Sequence, residues 1–186
     1  MENFRKFADR IVSVTPWWIA LIAAVIFILF SATVLPDQSN KAALYSADVG
    51  SPDLSLFYSK EDLYQMAEQY GSDGRQAYVR ARFTFDLAFP IIYGAFLLFS
   101  STWPLKRLTR SNSPWRLLVY IPLLAVIFDF FENASAAIVI GRYPSPSDLL
   151  AFLTPFFTLI KWIFVASGFV LPIIYLVILI LRRLRK

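Results

Sequence analysis

Residues 117–140 read LLVYIPLLAVIFDFFENASAAIVI, and this stretch decides the fold. It is long enough to cross about 30 Å of hydrocarbon as a helix, which takes roughly 20 residues. Asp129, Glu132 and Asn133 nevertheless lie inside it, at spacings that place them on one helix face. Charged groups within an apolar span are costly and mostly face the protein interior. The stretch therefore predicts a membrane-spanning helix with one polar face.

Three other apolar stretches meet the same length requirement, at about 17–35, 83–103 and 157–181. The hydrophobic content of the 186 residues is 58%, which is high for a soluble domain. We therefore expect an all-α, polytopic integral membrane protein. Its predicted architecture is a four-transmembrane-helix bundle that forms a single membrane domain over residues 1–186.

Lysines and arginines flank the predicted spans unevenly. Three precede the first span, four lie between the second and third, and four follow the last, against one between the third and fourth. Basic residues in tails and short loops concentrate on the cytoplasmic side, so we expect both termini to be cytoplasmic. Residues 36–82 then form an outer loop. The short loops and the lack of a targeting signal favour a prokaryotic inner membrane.

The composition excludes several kinds of chemistry. Neither cysteine nor histidine is present, which removes disulfides, thiol nucleophiles, histidine-based triads and the usual zinc ligands. We expect no cofactor and no metal. The formal net charge is +5, but the basic residues flank apolar stretches, where they contact anionic lipid headgroups. Membrane lipids are therefore expected partners, and nucleic acid is not.

The outer loop contains its own helical signals. Ser59 followed by Asp62 is typical of a capping box, and Leu63, Met66, Ala67 and Tyr70 then repeat at helical spacing. We expect a short extracytoplasmic amphipathic helix on the membrane surface. Residues 36–58, which include Pro36, are expected to form an irregular link.

Two further expectations concern helix continuity. Residues 71–74 interrupt the surface helix, after which one helix is expected to run from Arg75 into the second span. The last apolar stretch, 149–181, is longer than the bilayer core requires. We expect it to tilt, kink or divide, with Pro155 and Pro172 as break points and residues 149–156 along the outer interface.

The polar residues of the second, third and fourth spans suggest one site. At about 1.5 Å of rise per residue, they fall in the outer half of the bundle, with Asp129 nearer its middle. The candidate ligand-binding residues are Arg82, Asp86, Tyr93, Asp129, Glu132, Asn133 and Lys161. A lysine near the end of a span can also snorkel to the interface, which is the alternative for Lys161.

Four interpretations of these residues remain open. The site binds or carries a lipid-like or cationic amphiphile, with Asp86 and Glu132 as its anionic groups. Alternatively, Arg82–Asp86 and Lys161–Glu132 are ion pairs that stabilise a structural or assembly subunit, joined to a second copy or to another membrane protein. A third possibility is a lipid-modifying enzyme that uses a carboxylate as general base, with a divalent cation at Asp129 and Glu132. Proton-coupled transport is a further option.

The four-span plan, with acids on the second and third spans, resembles the sterol-isomerase and sigma-2-receptor group. That resemblance implies a ligand among lipids and amphiphilic amines. The chain departs from the isomerase pattern because it has no histidine, which puts isomerase chemistry in doubt.

Overall fold

The computed structural model describes residues 2–46 and 49–185, and within these ranges no strand is present. The α-helices are α1 (Glu2–Val14), α2 (Trp17–Ser46), α3 (Lys60–Gln69), α4 (Gly71–Arg82), α5 (Phe85–Leu108), α6 (Tyr120–Arg142) and α7 (Asp148–Leu184). The 3₁₀ turns Pro52–Leu54 and Pro114–Val119 lie between them. Ala47 and Asp48 of the predicted link, and Lys186 of the basic terminus, lie outside the described residues.

Four helical stretches of the described chain are long and apolar enough to cross a membrane. They are Trp17–Ser46, Gly71–Leu108, Pro114–Arg142 and Asp148–Leu184. This confirms the expected number of candidate spans. Large apolar side chains on them, such as Ile28, Ile91 and Ile173, are more than half exposed. Extended exposed apolar surface of this kind marks membrane or protein contact.

Helix α2 contradicts the irregular link predicted from residue 36, because it continues through Pro36 to Ser46. Proline cannot donate a backbone hydrogen bond to the preceding turn, which was the reason for ending the span at residue 35. The residues after Pro36 include good helix formers, and Asp37 and Lys41 form a 2.7 Å ion pair at i,i+4 spacing. Helix propensity on both sides of Pro36 outweighs the lost bond.

The predicted single helix from Arg75 into the second span is interrupted. Helix α4 already begins at Gly71, whose φ of 63° separates it from α3, and it ends at Arg82. Phe83 has φ −97° and ψ 8°, between the helical and extended regions, and α5 starts at Phe85. The sequence did not show this break because Phe83 and Thr84 are neither glycine nor proline.

Helix α7 is continuous from Asp148 to Leu184 and contains both Pro155 and Pro172. Of the three predicted alternatives, division of this stretch is therefore wrong, and residues 149–156 form the first turns of the helix. A tilt or a kink of α7 stays a prediction. In an apolar environment a continuous helix keeps nearly all backbone groups bonded, which outweighs the bonds that two prolines remove.

The chain divides into two compact units. The first unit comprises Met1–Ile28, Ile92–Ala125 and Ile163–Lys186, and the second comprises Leu29–Ile91 and Val126–Trp162. In the first unit, the buried core consists of Ala8, Val12, Leu98, Leu105, Val119 and Tyr175. In the second, it consists of Leu63, Met66, Ala67, Tyr70, Tyr78, Ala136, Val139, Ile140 and Ala151.

The core of the second unit explains the amphipathic pattern of α3. Leu63, Met66, Ala67 and Tyr70, the four residues predicted to share a face, all belong to that core. The apolar face of α3 therefore packs within the protein. Its position outside the cytoplasm and on the membrane surface stays a prediction.

Candidate functional site

The structure buries every residue of the predicted site. Arg82, Asp86, Asp129, Glu132, Asn133 and Lys161 belong to the second unit, and each is at most 8% exposed. Tyr93 is also buried but belongs to the first unit, so its role in ligand binding stays a prediction. Burial of so many ionisable groups requires that partners compensate for the lost water.

Arg82, at the end of α4, is the centre of one group of contacts. Its Nη2 forms a 2.5 Å ion pair with Asp53 Oδ2. Its Nη1 lies 3.1 Å from Asp86 Oδ2 and donates a 3.1 Å hydrogen bond to Asn133 Oδ1. The guanidinium also lies 4.4 Å from the centroid of the Tyr78 ring, within range of a cation–π interaction. The Arg82–Asp86 pair predicted from i,i+4 spacing is confirmed.

Asn133 extends this group along α6. Its Nδ2 donates a 2.8 Å hydrogen bond to Asp129 Oδ1, one helical turn earlier. The amide oxygen thus accepts from the Arg82 cation while the amide nitrogen donates to a carboxyl group. Asn133 therefore connects Arg82 to Asp129. Its contact with Asp129 agrees with the prediction that these two residues share one helix face.

Glu132 and Lys161 form a second group of contacts. Glu132 Oε2 and Lys161 Nζ are in a close ion pair, and Thr158 Oγ1 donates a 2.9 Å hydrogen bond to Glu132 Oε1. Lys161 is only 5% exposed, so the snorkelling alternative is wrong. Thr158 and Lys161 are three residues apart on one face of α7, and both contact the Glu132 carboxyl group of α6.

Sequence patterns missed Asp53, which comes from the 3₁₀ turn Pro52–Leu54. Trp162 Nε1 donates a 3.2 Å hydrogen bond to the Asp53 carbonyl, and Tyr70 donates one of 2.7 Å to the carbonyl of Gly50. These long-range bonds hold the turn beside Arg82. Because tertiary contacts and not helical spacing position Asp53, no periodic pattern in the sequence predicts its place beside Arg82.

Thr158 was missed as well, although the sequence contains a signal for it. Thr154, Thr158 and Lys161 follow one another at i, i+4 and i+7 in an otherwise apolar stretch. Such spacing indicates a polar helix face. The spacing does not identify the partner of this face, which the structure shows to be Glu132.

We define the carboxylate cluster by its charged members and the bridging amide: Asp53, Arg82, Asp86, Asp129, Glu132, Asn133 and Lys161. It contains four carboxyl groups and two cationic groups. If all were ionised, the cluster would be two positive charges short of neutrality. In the part of the chain that the structure describes, no three Asp or Glu side chains converge closely enough to hold a metal ion.

Three polar atoms around Arg82 have neither a hydrogen bond nor an ion pair among the described residues. They are Asp53 Oδ1, Tyr78 Oη and Arg82 Nε, and all three are buried. A buried polar atom without a partner costs about 1–3 kcal/mol, and such atoms are uncommon in native proteins. The cluster can therefore accept additional donors and acceptors.

A cavity of about 360 Å³ in the same unit lies beside the Glu132 group. It is lined by Val49, Ser55, Phe57, Tyr58, Asp62, Gln65 and Met66. The hydroxyl oxygens of Tyr58 and Thr158 are 2.7 Å apart, which connects the cavity wall to Glu132. Burial raises the pKa of Tyr58 well above its ordinary value of 10.0, so its hydroxyl stays protonated at neutral pH.

Asp62 in the cavity wall also caps α3. Ser59 N donates to Asp62 Oδ2 at 2.7 Å and Asp62 N donates to Ser59 Oγ at 3.1 Å, which confirms the predicted capping box. The hydrogen bonds from the Ser59 backbone and hydroxyl lower the pKa of Asp62 below 3.8. The cavity wall therefore carries a negative charge at neutral pH.

Fold and site define a class: a helical, multi-pass membrane protein with a buried carboxylate cluster in its second unit. No protein-family model, no curated protein and no solved structure matches the chain. The resemblance to the sterol-isomerase and sigma-2-receptor group is thus limited to the number of spans and the placement of acids. Function has to be inferred from the cluster itself.

Proposed function

We propose that this integral membrane protein binds or carries a lipid-like or cationic amphiphile, whose charged group enters the carboxylate cluster. One observation carries the proposal: three buried carboxyl groups, together with the partly exposed Asp53, share two buried cationic groups. An uncompensated charge is expensive away from water. An ammonium headgroup supplies positive charge, and an alkyl chain suits the apolar spans around the cluster.

The hydrogen-bonding capacity of the cluster also favours an ammonium group. Asp53 Oδ1 and Tyr78 Oη are both able to accept hydrogen bonds, and neither has a partner among the described residues. A primary ammonium has three donors. Two of them would serve these oxygens.

We place the protein in a cell membrane of the prokaryotic inner type, with both termini cytoplasmic. The cluster then lies in the outer half of the membrane. This assignment is based on the Lys and Arg distribution between the spans. An amphiphile would reach the cluster with its chain in the outer leaflet and its headgroup near the membrane surface.

A second candidate, a structural or assembly subunit, is favoured by a different observation. Both cations of the cluster already have acidic partners in the chain: Arg82 contacts Asp53 and Asp86, and Lys161 contacts Glu132. In this case the ion pairs stabilise the fold. The remaining negative charge would be matched by a cation on a second copy or on a partner membrane protein.

Native mass spectrometry of the purified protein tests the first candidate against the second. The probe is dodecylamine, which is cationic at neutral pH, and the matched neutral probe is 1-dodecanol. We expect the wild type to retain the amine and not the alcohol. Asp86→Asn should lose the amine at least tenfold and stay folded, because Arg82 keeps Asp53 as its partner.

The matched variant is Asp37→Asn, which removes an exposed acid paired with Lys41 outside the cluster. It should bind dodecylamine as the wild type does. If the wild type retains no amine but occurs as an oligomer that Glu132→Gln dissociates, the structural candidate is correct and the binding proposal is wrong.

A further inference from the structure

Three side chains form an unbroken series of contacts from the 360 Å³ cavity to the buried ion pair. The hydroxyl oxygens of Tyr58, in the cavity wall, and Thr158 are 2.7 Å apart. Thr158 Oγ1 is 2.9 Å from Glu132 Oε1, and Glu132 Oε2 is in contact with Lys161 Nζ. All four residues belong to the second unit.

Exposure falls steeply along this series. Tyr58 is partly exposed, whereas Thr158 and Glu132 are fully buried. Glu132 has no contact with solvent of its own. A proton that reaches Glu132 from the cavity therefore has a path through hydroxyl groups.

The direction of the hydrogen bonds suits proton transfer. Thr158 donates to Glu132, a carboxylate that can only accept, so the Thr158 oxygen is free to accept from the Tyr58 hydroxyl. The Tyr58 oxygen can in turn accept a hydrogen bond from water that enters the cavity. Its raised pKa keeps the phenol protonated, as a relay requires. Thr158 also contacts the carbonyl of Thr154 at 3.1 Å, which gives its hydroxyl hydrogen a second position during reorientation.

We propose that Tyr58 and Thr158 form a proton relay between water in the cavity and the Glu132–Lys161 pair. A hydronium ion gives a proton to the Tyr58 oxygen, Tyr58 passes its own proton to Thr158, and Thr158 passes its proton to Glu132 Oε1. The hydronium becomes water and Glu132 becomes neutral. Rotation of the two hydroxyl groups then restores the starting arrangement. The relay ends at two members of the carboxylate cluster, Glu132 and Lys161, but the contacts that form it do not require a bound amphiphile.

Exchange of the Lys161 ammonium protons with water tests the relay. Protein labelled with ¹⁵N-lysine is placed in detergent micelles, and the Lys161 signal is identified as the one that Lys161→Arg removes. Exchange proceeds when Lys161 passes a proton to Glu132, the relay carries that proton out to cavity water, and a proton from the water returns by the same path. We expect Tyr58→Phe and Thr158→Val each to slow the exchange at least tenfold, and Thr158→Ser to keep the wild-type rate.

Tyr64→Phe is the matched control. The Tyr64 hydroxyl accepts a 2.7 Å hydrogen bond from Ser147 N in the same unit and is not part of the relay. Its loss should leave Lys161 exchange unchanged. Equal rates in wild type, Tyr58→Phe and Thr158→Val would overturn the relay, and so would an equal slowing by Tyr64→Phe. If Tyr58→Phe does not fold, Thr158→Val and Thr158→Ser are compared instead. Slower exchange in Thr158→Val alone supports the relay, and equal rates in the two variants overturn it.

Discussion

Two buried arginines, Arg116 in the first unit and Arg82 in the second, have very different surroundings. Arg116 Nη1 donates to Asp9 Oδ1 at 2.6 Å and to Ser13 Oγ at 2.7 Å. Its Nε and Nη2 donate to the hydroxyl and the carbonyl of Thr109. Every guanidinium nitrogen of Arg116 is bonded to the protein, and one cation meets one acid. This arrangement anchors α1 to the segment 109–116.

In contrast to Arg116, not every guanidinium nitrogen of Arg82 is hydrogen-bonded to the described part of the protein. Its Nε has no hydrogen-bond partner among the described residues, nor has Oδ1 of its partner Asp53. The cluster to which it belongs has more acids than cations. Burial of an arginine alone therefore does not indicate a binding function. A surplus of charge and unused donors and acceptors are what point to a ligand.

The largest effect should come from breaking the pair that is buried most deeply. Lys161→Met leaves Glu132, which is fully buried, without its cation. Loss of one partner of a buried ion pair costs about 3–5 kcal/mol. We expect this loss in the free energy of unfolding, measured by denaturant titration in detergent.

The double variant Lys161→Met, Glu132→Leu removes the pair as a whole and should recover most of that loss. The single variant would then be destabilised by the isolated charge and not by lost packing. A double variant no more stable than Lys161→Met would show that this explanation is wrong.

Arg116→Met should have a smaller effect, of about 2 kcal/mol, and should not affect the carboxylate cluster. The effect is smaller because the Asp9 side chain is 19% exposed and can regain water. We expect proteases to cleave more readily within α1, while dodecylamine binding stays at the wild-type level. Loss of amine binding in Arg116→Met would remove the functional distinction between the two arginines.

Much of this arrangement follows from sequence, and the reasons are local. Apolar length predicted four candidate spans, and helical spacing predicted the Arg82–Asp86 pair and the capping box of Ser59 and Asp62. Burial of Lys161 and its pairing with Glu132 were also among the alternatives. In each case the partners are three or four residues apart in the chain, or the cost of an unpaired charge restricts the choice.

The features that were not predicted from the sequence depend on tertiary contacts or on opposing helix preferences of neighbouring residues. Asp53 is in the cluster because Trp162 and Tyr70 hold its turn, and no sequence period reports such bonds. Pro36 was expected to end α2, but the helix formers that follow it prevailed. Helix α1 went unpredicted although Ala8 and Val12, like the ion pair Glu2–Lys6, follow i,i+4 spacing. Its anchor, the Asp9–Arg116 pair, could not be predicted because it joins residues far apart in the chain.

Ser59→Ala should destabilise the second unit by about 1 kcal/mol, as loss of an N-cap usually does. The variant removes one of the hydrogen bonds that lower the pKa of Asp62, so this pKa should rise towards 3.8. Carboxyl ¹³C NMR of aspartate-labelled protein measures the shift, and Asp73→Asn helps to assign the exposed signals. An unchanged pKa of Asp62 in Ser59→Ala would contradict the capping geometry.

The smallest effect concerns Asp9, whose pKa is lowered first by the Asn112 backbone N–H and also by Ser111 and Arg116. A lowered folded-state pKa gives stabilisation that is complete above the ordinary value of 3.8 and disappears as the pH falls through the folded value. We expect hydrogen exchange in α1 to accelerate slightly below about pH 4. Asp9→Asn should abolish this pH dependence, and its persistence would assign it to another group.

The most direct test compares the two regions with one probe. Equilibrium binding of dodecylamine is measured in nanodiscs of neutral lipid for the wild type, Asp86→Asn and Asp9→Asn. Each variant removes one acid next to a buried arginine. We expect Asp86→Asn to weaken binding at least tenfold and Asp9→Asn to leave the Kd unchanged. Equal affinity in all three proteins, or equal weakening by both substitutions, would contradict a ligand role for the carboxylate cluster.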